Sequence, residues 1–337
     1  MTGIVTLTPS AAIDHTYLLT EFVTGKVNRA RSMHTELSGK GVNVGHAIAL
    51  AGHPVTAVFA LGEEDRARAG RSPAGLRLRT VAVPGRTRIN TTILDEHGRT
   101  TKVNESPHPL TDDTWHALCQ ATLDEIERLD ADWLVLCGSI PARAGGGDSV
   151  SFTRLLKDAA ARGTRVALDT SGEALERAIR DFSAISLIKP NTHELAALVR
   201  RDLRTFGDVI VAASELRRHG VETVFVSMGE DGALLVAEEG TWFARADAAT
   251  IANSAGAGDA SLAGFLVGLR VAHANADASR PALANALALA ASWGALAVGQ
   301  PTTVLASLDG APFATALPDP DPATSLRDPA VSGGVGR

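Results

Sequence analysis

Residues 133–137, Trp-Leu-Val-Leu-Cys, form a continuous apolar run. A strand without polar positions is expected to be buried on both faces, as in a parallel sheet that lies between two layers of helices. Short runs of this kind alternate along the chain with longer Ala- and Leu-rich segments that repeat at helical period. The alternation predicts an α/β protein with a doubly wound, mainly parallel sheet flanked by helices.

The predicted elements follow this alternation through one domain, residues 1–316. Strands are predicted at residues 4–8, 55–61, 133–137, 165–169, 184–188 and 223–227, with an antiparallel strand at 233–236. Helices are predicted at residues 42–51, 111–129, 149–162, 173–180, 193–199, 209–219, 258–270 and 281–298.

Two stretches depart from the alternation and form a candidate lid. Residues 15–38 and 87–105 alternate polar and apolar side chains, and the second contains the turn-like sequence Asp95-Glu-His-Gly98. We expect a small separate β-sheet over the carboxyl edge of the main sheet, although additional strands of the main sheet would show the same alternation. Residues 317–337 are rich in Pro, Gly, Ser and Asp and offer little to bury, which predicts a disordered tail.

The composition narrows the class of protein. The chain has 337 residues, a hydrophobic content of 45% and a net charge of −6, which argues against a nucleic-acid binder. Its two cysteines, Cys119 and Cys137, lie in apolar contexts, so reduced core thiols are favoured over a disulfide. The first residues do not resemble a signal peptide, and no apolar run reaches the roughly 20 residues of a spanning helix. These features predict a cytoplasmic protein that binds neither nucleic acid nor membrane.

The sequence Asn253-Ser-Ala-Gly-Ala-Gly-Asp259-Ala-Ser carries the sharpest chemical signal. Gly256, Ala257 and Gly258 place small residues where a helix begins, so their backbone N–H groups could hold an anion at the positive end of the helix dipole. Asp259 then lies in the first turn, where the dipole is expected to keep it ionised and therefore a weak base. Phosphoryl transfer needs little more, because the hydroxyl proton leaves late. A glycine-rich turn followed by an ordinary acidic residue is the alternative.

Three further motifs place polar residues at the same predicted edge of the sheet. Ser38-Gly-Lys-Gly-Val-Asn43 opens a helix and offers a cation and an amide, but alone it could be a surface turn. Asp14 follows the first strand, where open α/β sheets bind ligands, although a turn or cap residue is commoner there. Lys189-Pro-Asn-Thr-His-Glu194 follows an apolar strand, and its asparagine can cap the next helix.

Together these motifs resemble one family. LSGKGVN, KPNTHEL, VSMGEDGALLV and NSAGAGDASLAGFL stand in the order and spacing of the PfkB-type, ribokinase-like carbohydrate kinases, over about residues 3–305. Other segments are similar to the 1-phosphofructokinase and tagatose-6-phosphate kinase branch: LTPSAAIDHTYLL, Lys26-Val-Asn-Arg29, Thr87-Arg-Ile-Asn90, Val103-Asn-Glu105, Cys-Gly-Ser-Ile-Pro141 and LDTSGE. The resemblance implies a ribokinase-like fold with a small β-sheet lid.

The resemblance also implies the roles of individual residues. Asp259 is expected to be the catalytic base, with the amides of Gly256, Ala257 and Gly258 as the anion hole. The substrate would be held by Asp14, Gly39, Lys40, Asn43, Arg88, Asn90 and Ser139. The nucleotide would lie on Lys189, Asn191, Ser227, Gly229 and Gly232, and Glu194 would organise Mg²⁺ through water. ATP and Mg²⁺ are the implied cofactors, a monovalent cation is a further candidate, and the lid is a candidate homodimer interface.

Arg88 gives an independent hint that the substrate already carries a phosphate. A planar guanidinium binds a phosphate through two parallel hydrogen bonds, which a sugar without a phosphate would not need. A solvated arginine on a strand is the alternative interpretation.

The chain also departs from the family pattern. Thr8-Pro-Ser stands where Asn-Pro-Ala is usual, and Ser38 replaces the first glycine of a Gly-Gly doublet. Residues 63–79 are rich in Arg, Gly and Pro where the family has a helix with an apolar face, so a solvated loop is expected. Asn-Glu105-Ser-Pro107 replaces Glu-Pro-Gly-Pro at the far end of the lid.

Other enzyme classes lack their motifs. Gly39, Gly41 and Gly45 do not have dinucleotide-binding spacing, and neither a P-loop nor a Gly-x-Ser-x-Gly elbow is present. The predicted activity is ATP-dependent phosphorylation of a ketohexose phosphate, fructose 1-phosphate first, with tagatose 6-phosphate and fructose 6-phosphate as alternatives. A non-catalytic sugar-phosphate-binding regulator on the same fold is a further alternative. The retained Asp259 and Glu194 argue against that regulator, because binding alone requires no base.

Overall fold

The computed structural model describes residues 2–70, 75–146, 150–181, 185–248, 253, 255–274 and 280–331. The strands are β1 (Ile4–Thr8), β2 (Ala12–Leu19), β3 (Ser32–Ser38), β4 (Val55–Gly62), β5 (Leu76–Val83), β6 (Ile89–Asp95), β7 (Thr100–Asn104), β8 (Trp133–Cys137), β9 (Arg165–Asp169), β10 (Ile185–Ile188), β11 (Leu203–Thr205), β12 (Val221–Ser227), β13 (Ala233–Ala237), β14 (Gly240–Arg245), β15 (Thr315–Pro318) and β16 (Ser325–Ala330). The helices are α1 (Lys40–Leu50), α2 (Asp112–Leu129), α3 (Thr153–Ala160), α4 (Glu173–Asp181), α5 (Thr192–Val199), α6 (Phe206–Arg218), α7 (Ala257–Ala274) and α8 (Arg280–Val298), with short 3-10 helices at Glu63–Gly70 and Gly229–Asp231.

The main sheet has ten strands in the order β15-β14-β13-β12-β10-β9-β8-β1-β4-β5. The strands from β12 to β5 run parallel, whereas β13, β14 and β15 are antiparallel additions at one end. The carboxyl ends of the parallel strands therefore meet at one edge of the sheet, where open α/β sheets bind ligands.

Two layers of helices cover the sheet. Leu134 and Leu136 of β8 pack into the core beneath helices α2 to α6, whereas Val135 packs into the core beneath α1, α7 and α8. Each of these β8 side chains is 0% exposed. The doubly wound fold predicted from the apolar run at 133–137 is confirmed.

The lid is a separate four-stranded sheet in the order β3-β2-β6-β7. Its strands lie in the predicted stretches, except that β2 begins at Ala12. Asp14 pairs with Glu36 on one side and with Asn90 on the other, so one face of this sheet is polar. Met33 and Val103 lie on the opposite face and are 51% and 61% exposed.

The predicted disordered tail is wrong for residues 317–331. β15 pairs with β14, and β16 pairs with β11 across more than a hundred residues of sequence, a contact that composition cannot indicate. Leu326 and Ala330 are 5% and 0% exposed, and their burial gives this polar segment its anchor. Residues 332–337 lie outside the described part of the chain.

The prediction of a solvated loop at residues 63–79 is also partly wrong. The segment contains the 3-10 helix Glu63–Gly70 and the start of β5, which pairs with β4 at the end of the main sheet. Leu76 is 6% exposed, and Arg77 forms an ion pair with the buried Glu125. Alternating Leu and Arg therefore form an edge strand. Residues 71–74, 149 and 184, which earlier predictions include, lie outside the described residues.

In the described part of the chain, no helix is both long and apolar enough to cross a bilayer. Cys119 and Cys137 are both free thiols, as expected, with Cys137 fully buried and Cys119 half-buried.

Candidate active site

The predicted base Asp259 lies in the first turn of α7 and is 7% exposed. Its Oδ2 accepts a hydrogen bond of 2.8 Å from Nδ2 of Asn43 on α1. The hydroxyl of Ser38 donates to Oδ1 of the same asparagine at 3.3 Å, which fixes the orientation of the amide. Asn43, which the resemblance implies is a sugar ligand, therefore also holds the carboxylate of Asp259.

The pKa of Asp259 differs from the expectation. Burial raises it and the negative charge of Asp169 raises it further, while Lys40, the hydrogen bond from Asn43 and Lys189 lower it, so that it rises to about 6. The prediction that the helix dipole makes Asp259 a weak base is therefore wrong. Desolvation and the like charge of Asp169 raise its pKa more than the dipole lowers it. A carboxylate with this pKa is ionised at neutral pH and is still able to accept a proton.

Asp169, at the end of β9, connects two lysines at the same edge. Its Oδ1 lies 2.7 Å from Nζ of Lys40, and its Oδ2 lies 3.2 Å from Nζ of Lys189. The carboxylate is fully buried; this opposes ionisation, but Lys189 and Lys40 outweigh the effect and lower its pKa. The pKa of Lys40 is raised because Asp169, Asp259 and Glu194 outweigh its own desolvation. Sequence reasoning quoted LDTSGE without a role for Asp169, although a polar residue directly after a buried strand was the available signal.

The predicted anion hole is tightly constrained. Gly256 has a φ of +82°, and a Cβ at this position would lie 2.0 Å from the carbonyl oxygen of Thr303. Asn253 accepts a hydrogen bond of 2.9 Å from the N–H of Ala255 and so supports the same turn. A Cβ on Gly258 would lie 3.3 Å from Nζ of Lys189. The unpaired N–H groups expected at the start of α7 and the Lys189 ammonium are therefore close together, which suits a phosphoryl group.

The lid contributes a second group of polar residues. Asp14 is 8% exposed, and its Oδ1 accepts a hydrogen bond of 3.0 Å from Nδ2 of Asn90. Arg88 donates to the carbonyl oxygens of Ser10 at 3.3 Å, Ala11 at 3.3 Å and Glu105 at 3.0 Å, as well as to Oδ1 of Asn90 at 3.4 Å. Burial lowers the pKa of Arg88, against the effect of Asp14 and Glu105. All of these acceptors are uncharged oxygens, and through them the guanidinium ties the lid to the loop after β1.

Gly39 and Ser139 lie in the loops between these groups. Gly39, at the start of α1, has a φ of +136°, and a Cβ there would lie 3.1 Å from both Ala11 and Thr8. Ser139 is exposed just after β8, and the preceding Gly138 donates its N–H to the carbonyl of Asp169 at 2.9 Å. Both residues therefore lie at the edge that carries Lys40 and Asp169.

The predicted nucleotide residues lie along the neighbouring strand ends. The N–H of Ser227 donates to the carbonyl of Pro190 at 3.1 Å and joins the ends of β12 and β10. Gly229 and Gly232 have φ values of +57° and +90° and form the turn between β12 and β13. The start of this turn therefore lies next to Pro190, the residue after Lys189.

Glu194 and Asn191 form a reciprocal cap on α5. Oδ1 of Asn191 accepts the N–H of Glu194 at 2.8 Å, and Oε2 of Glu194 accepts the N–H of Asn191 at 2.9 Å. Oε1 is then the oxygen that could hold a water ligand of a metal. Within the described ranges no three His, Cys, Asp or Glu side chains form a metal-binding group. A Mg²⁺ ion would therefore take most of its ligands from phosphate and water, which is usual for this ion.

Comparison with known proteins identifies the family. The profile of the pfkB family carbohydrate kinases matches residues 7–309. The chain belongs to this family. As a pfkB carbohydrate kinase it is a phosphotransferase that acts on an alcohol group, and the predicted family and enzyme class are confirmed.

Named relatives support the same assignment of this pfkB kinase. It is 36% identical over 266 residues to the 1-phosphofructokinase of Rhodobacter capsulatus, covering 78% of this chain and 82% of that protein. It is 30% identical over 299 residues to the 1-phosphofructokinase of Escherichia coli K12, covering 88% and 91%. Phosphofructokinase-2 from Escherichia coli, solved in complex with potassium, has a TM-score of 0.77 at 27% identity, covering 92% and 96%.

Proposed function

We propose that this pfkB kinase transfers the γ-phosphoryl group of ATP to fructose 1-phosphate and forms fructose 1,6-bisphosphate. The observation that carries the proposal is the state of Asp259 at the start of α7. This carboxylate is buried, accepts a hydrogen bond from Asn43 of α1, and has its pKa raised to about 6. The two relatives named 1-phosphofructokinase support the choice of substrate.

The proposed reaction needs one proton transfer. Asp259 accepts the proton of the acceptor hydroxyl as the hydroxyl oxygen bonds to the γ-phosphorus. The bond from that phosphorus to the β–γ bridging oxygen breaks, and ADP leaves. The N–H groups at Gly256, Ala257 and Gly258 stabilise the charge on the transferring group, together with Lys189, which lies beside Gly258.

The sugar phosphate would lie between the main sheet and the polar face of the lid. Asp14 and Asn90 are hydrogen-bonded to each other there and present their remaining atoms to sugar hydroxyls. Lys40 lies across the site on α1, and Ser139 and Gly39 lie in the loops beside it. Arg88 would bind the phosphate that the substrate already carries. Its guanidinium is hydrogen-bonded to Asn90, and a guanidinium suits the geometry of a phosphate.

The nucleotide would lie along Ser227, Gly229 and Gly232, beside Lys189 and Asn191. When bound, Mg²⁺ would neutralise charge on the nucleotide phosphates, and Glu194 would hold it through water. A monovalent cation is part of the proposal because the related phosphofructokinase-2 was solved with potassium. Replacing potassium by tetramethylammonium in the assay tests this part.

A coupled assay that detects ADP tests the activity. We expect the highest kcat/KM with fructose 1-phosphate and lower values with tagatose 6-phosphate and fructose 6-phosphate. A preference for either of the latter would reassign the substrate within the family. Binding of sugar phosphates without ADP formation would instead identify a non-catalytic regulator.

The role of Arg88 has a direct test. Arg88→Ala should raise the KM for fructose 1-phosphate about tenfold or more, since a charge-assisted contact to phosphate is lost, and should leave weak activity on unphosphorylated fructose unchanged. Arg86→Ala is the matched control, because Arg86 lies in the same loop but is paired with Glu105 at 2.7 Å. Equal losses on both sugars would show that Arg88 only holds the loop at Ser10 and Ala11.

We also propose a homodimer formed through the lid and a cytoplasmic location. The exposed apolar face that contains Met33 and Val103 supports the dimer, since a partner would bury it. The free thiols of Cys119 and Cys137 fit a reducing compartment.

A further inference from the structure

The C-terminal strand β16 lies beyond the family match, which ends at residue 309. It is nevertheless built into the domain. It pairs antiparallel with β11, and the N–H groups of Phe206 and Gly207 donate to carbonyls of Thr324 and Pro322, each at 2.9 Å. Leu326 is buried in the same core as Met228, the residue that leads into the turn at Gly229–Asp231. The strand therefore has a fixed position next to that turn.

The first link to the proposed nucleotide site is Asp231. This carboxylate is only 8% exposed, although it belongs to a turn. Its Oδ2 accepts the backbone N–H of Arg327 at 2.8 Å, and its Oδ1 lies 3.4 Å from Nε of the same residue. The Arg327 guanidinium also lies 3.7 Å from Oε2 of Glu230. Strand β16 thus holds two consecutive residues of the turn.

The second link reaches the other nucleotide element. Nε2 of His193, in the first turn of α5, lies 3.1 Å from Oδ2 of Asp328. His193 is adjacent to Glu194, the residue proposed to hold Mg²⁺ through water. Successive residues of β16, Arg327 and Asp328, therefore contact the turn after β12 and the start of α5.

If a ligand has to order a flexible glycine-rich turn when it binds, the entropy cost of that ordering lowers the affinity for the ligand. The turn here is flanked by Gly229 and Gly232, both at positive φ, and it is closed by a hydrogen bond of 2.8 Å from the N–H of Met228 to the carbonyl of Gly232. The contacts from β16 restrict the two residues between these glycines. They would reduce the ordering that nucleotide binding requires.

We infer that β16 holds the turn at Gly229–Gly232 in its ATP-binding conformation, with Asp231 as a positioning residue that acts through this turn. The inference rests on the proposed function of this edge as the nucleotide site. It goes beyond it by assigning a segment outside the family match to ATP affinity.

Asp231→Ala tests the inference in the full-length chain. We expect the Kd for ATP, measured by calorimetry, and the KM for ATP to rise about tenfold, the scale of one lost charge-assisted hydrogen bond. The KM for fructose 1-phosphate should stay within about twofold, since Arg88 and Asp14 are untouched. Asp231→Asn should restore most of the ATP affinity, because its amide oxygen can still accept the Arg327 N–H. Arg204→Ala on β11, which removes an exposed guanidinium paired with Asp202, should match the unsubstituted chain.

Three outcomes would overturn the inference. A lower Tm for Asp231→Ala with an unchanged Kd for ATP would mean that β16 only stabilises the fold. Equal increases in KM for both substrates would indicate general damage. If the unsubstituted chain does not bind ATP at all, the proposed nucleotide site itself is wrong, and the inference fails with it.

Discussion

The chemistry of Asp259 is set by its neighbours and not by its helix. Burial and the charge of Asp169 raise its pKa to about 6, whereas Lys40, Asn43 and Lys189 act in the opposite direction. The carboxylate is therefore balanced between the like charge of Asp169 and the two cations, of which Lys189 is buried and Lys40 is partly exposed. This balance makes both its ionisation and its orientation sensitive to single substitutions.

Asp259→Asn should lower kcat by roughly a hundredfold or more and leave the Kd for the sugar phosphate little changed, because the amide cannot accept the proton. In the unsubstituted enzyme, kcat should fall as the pH drops below about 6, since the base must be ionised and its pKa is raised to that value. Initial rates measured over a series of pH values check this loss of activity at acid pH. Near-normal turnover in Asp259→Asn would refute the assignment of the base.

Asp169→Asn should move the acid limb of the kcat/KM profile to lower pH. The substitution removes a negative neighbour of Asp259 and leaves the positive charges of Lys40 and Lys189 uncompensated, so both effects lower the pKa of the base. kcat should also fall, because the two ammonium groups lose their common anchor. The same acid limb in both enzymes would show that Asp169 does not influence the base.

At the level of elements, the proposed anion hole depends on the contact between two segments that are distant in sequence. The turn before α7 packs against the segment after α8 so closely that Gly256 has no room for a side chain beside Thr303. The amides of the hole are thus placed by packing from outside the motif. Substitution of Gly256 should therefore lower activity by more than the strain of a side chain at positive φ would cause, because the side chain would also collide with Thr303.

Gly256→Ala should lower kcat at least tenfold, since the methyl group would displace the turn from Thr303 and misalign the N–H donors. Gly163→Ala is a matched control, because Gly163 has a φ of +81° and nothing within 4 Å of the added Cβ. The control should cost about 1 kcal/mol of stability and keep normal kcat. If both variants show the same small effect, the close approach at Thr303 has no role in catalysis.

In the whole molecule, the two faces of the lid differ in polarity, and we assign one to the substrate and the other to the proposed dimer. The polar face carries Asp14 and Asn90 towards the site, and the opposite face exposes apolar side chains. The strict alternation of side chains along a strand forces this division. In the proposed homodimer, a second copy of the chain would bury the apolar face.

Met33→Asp should convert the proposed dimer into a monomer, because a charge would be buried in an apolar interface. Light scattering coupled to size exclusion measures the mass directly. Val211→Asp on α6 introduces the same charge at a side chain of similar exposure, 50% against 51% for Met33, and should leave the dimer intact. A monomeric unsubstituted chain at micromolar concentration would contradict the lid interface.

Patterns in the sequence were sufficient to predict the layers of the fold and the order of the motifs. Apolar runs such as 133–137 report burial on both faces, and a helix period is a local property of the chain. The motifs around Lys40, Lys189 and Asp259 could be placed at one edge because parallel strands share their carboxyl ends. Patterns of neighbouring residues were sufficient to predict those features that depend on neighbouring residues alone.

The contacts among those residues became visible in the folded chain and could not be predicted from the patterns. The hydrogen bond from Asn43 to Asp259 joins residues 216 positions apart, and Asp169 joins two lysines from different elements. The raised pKa of Asp259, the proposed base, and the pairing of β16 with β11 also depend on the tertiary structure. Electrostatic energies and strand pairing depend on distances in space, and no local pattern of residues encodes those distances.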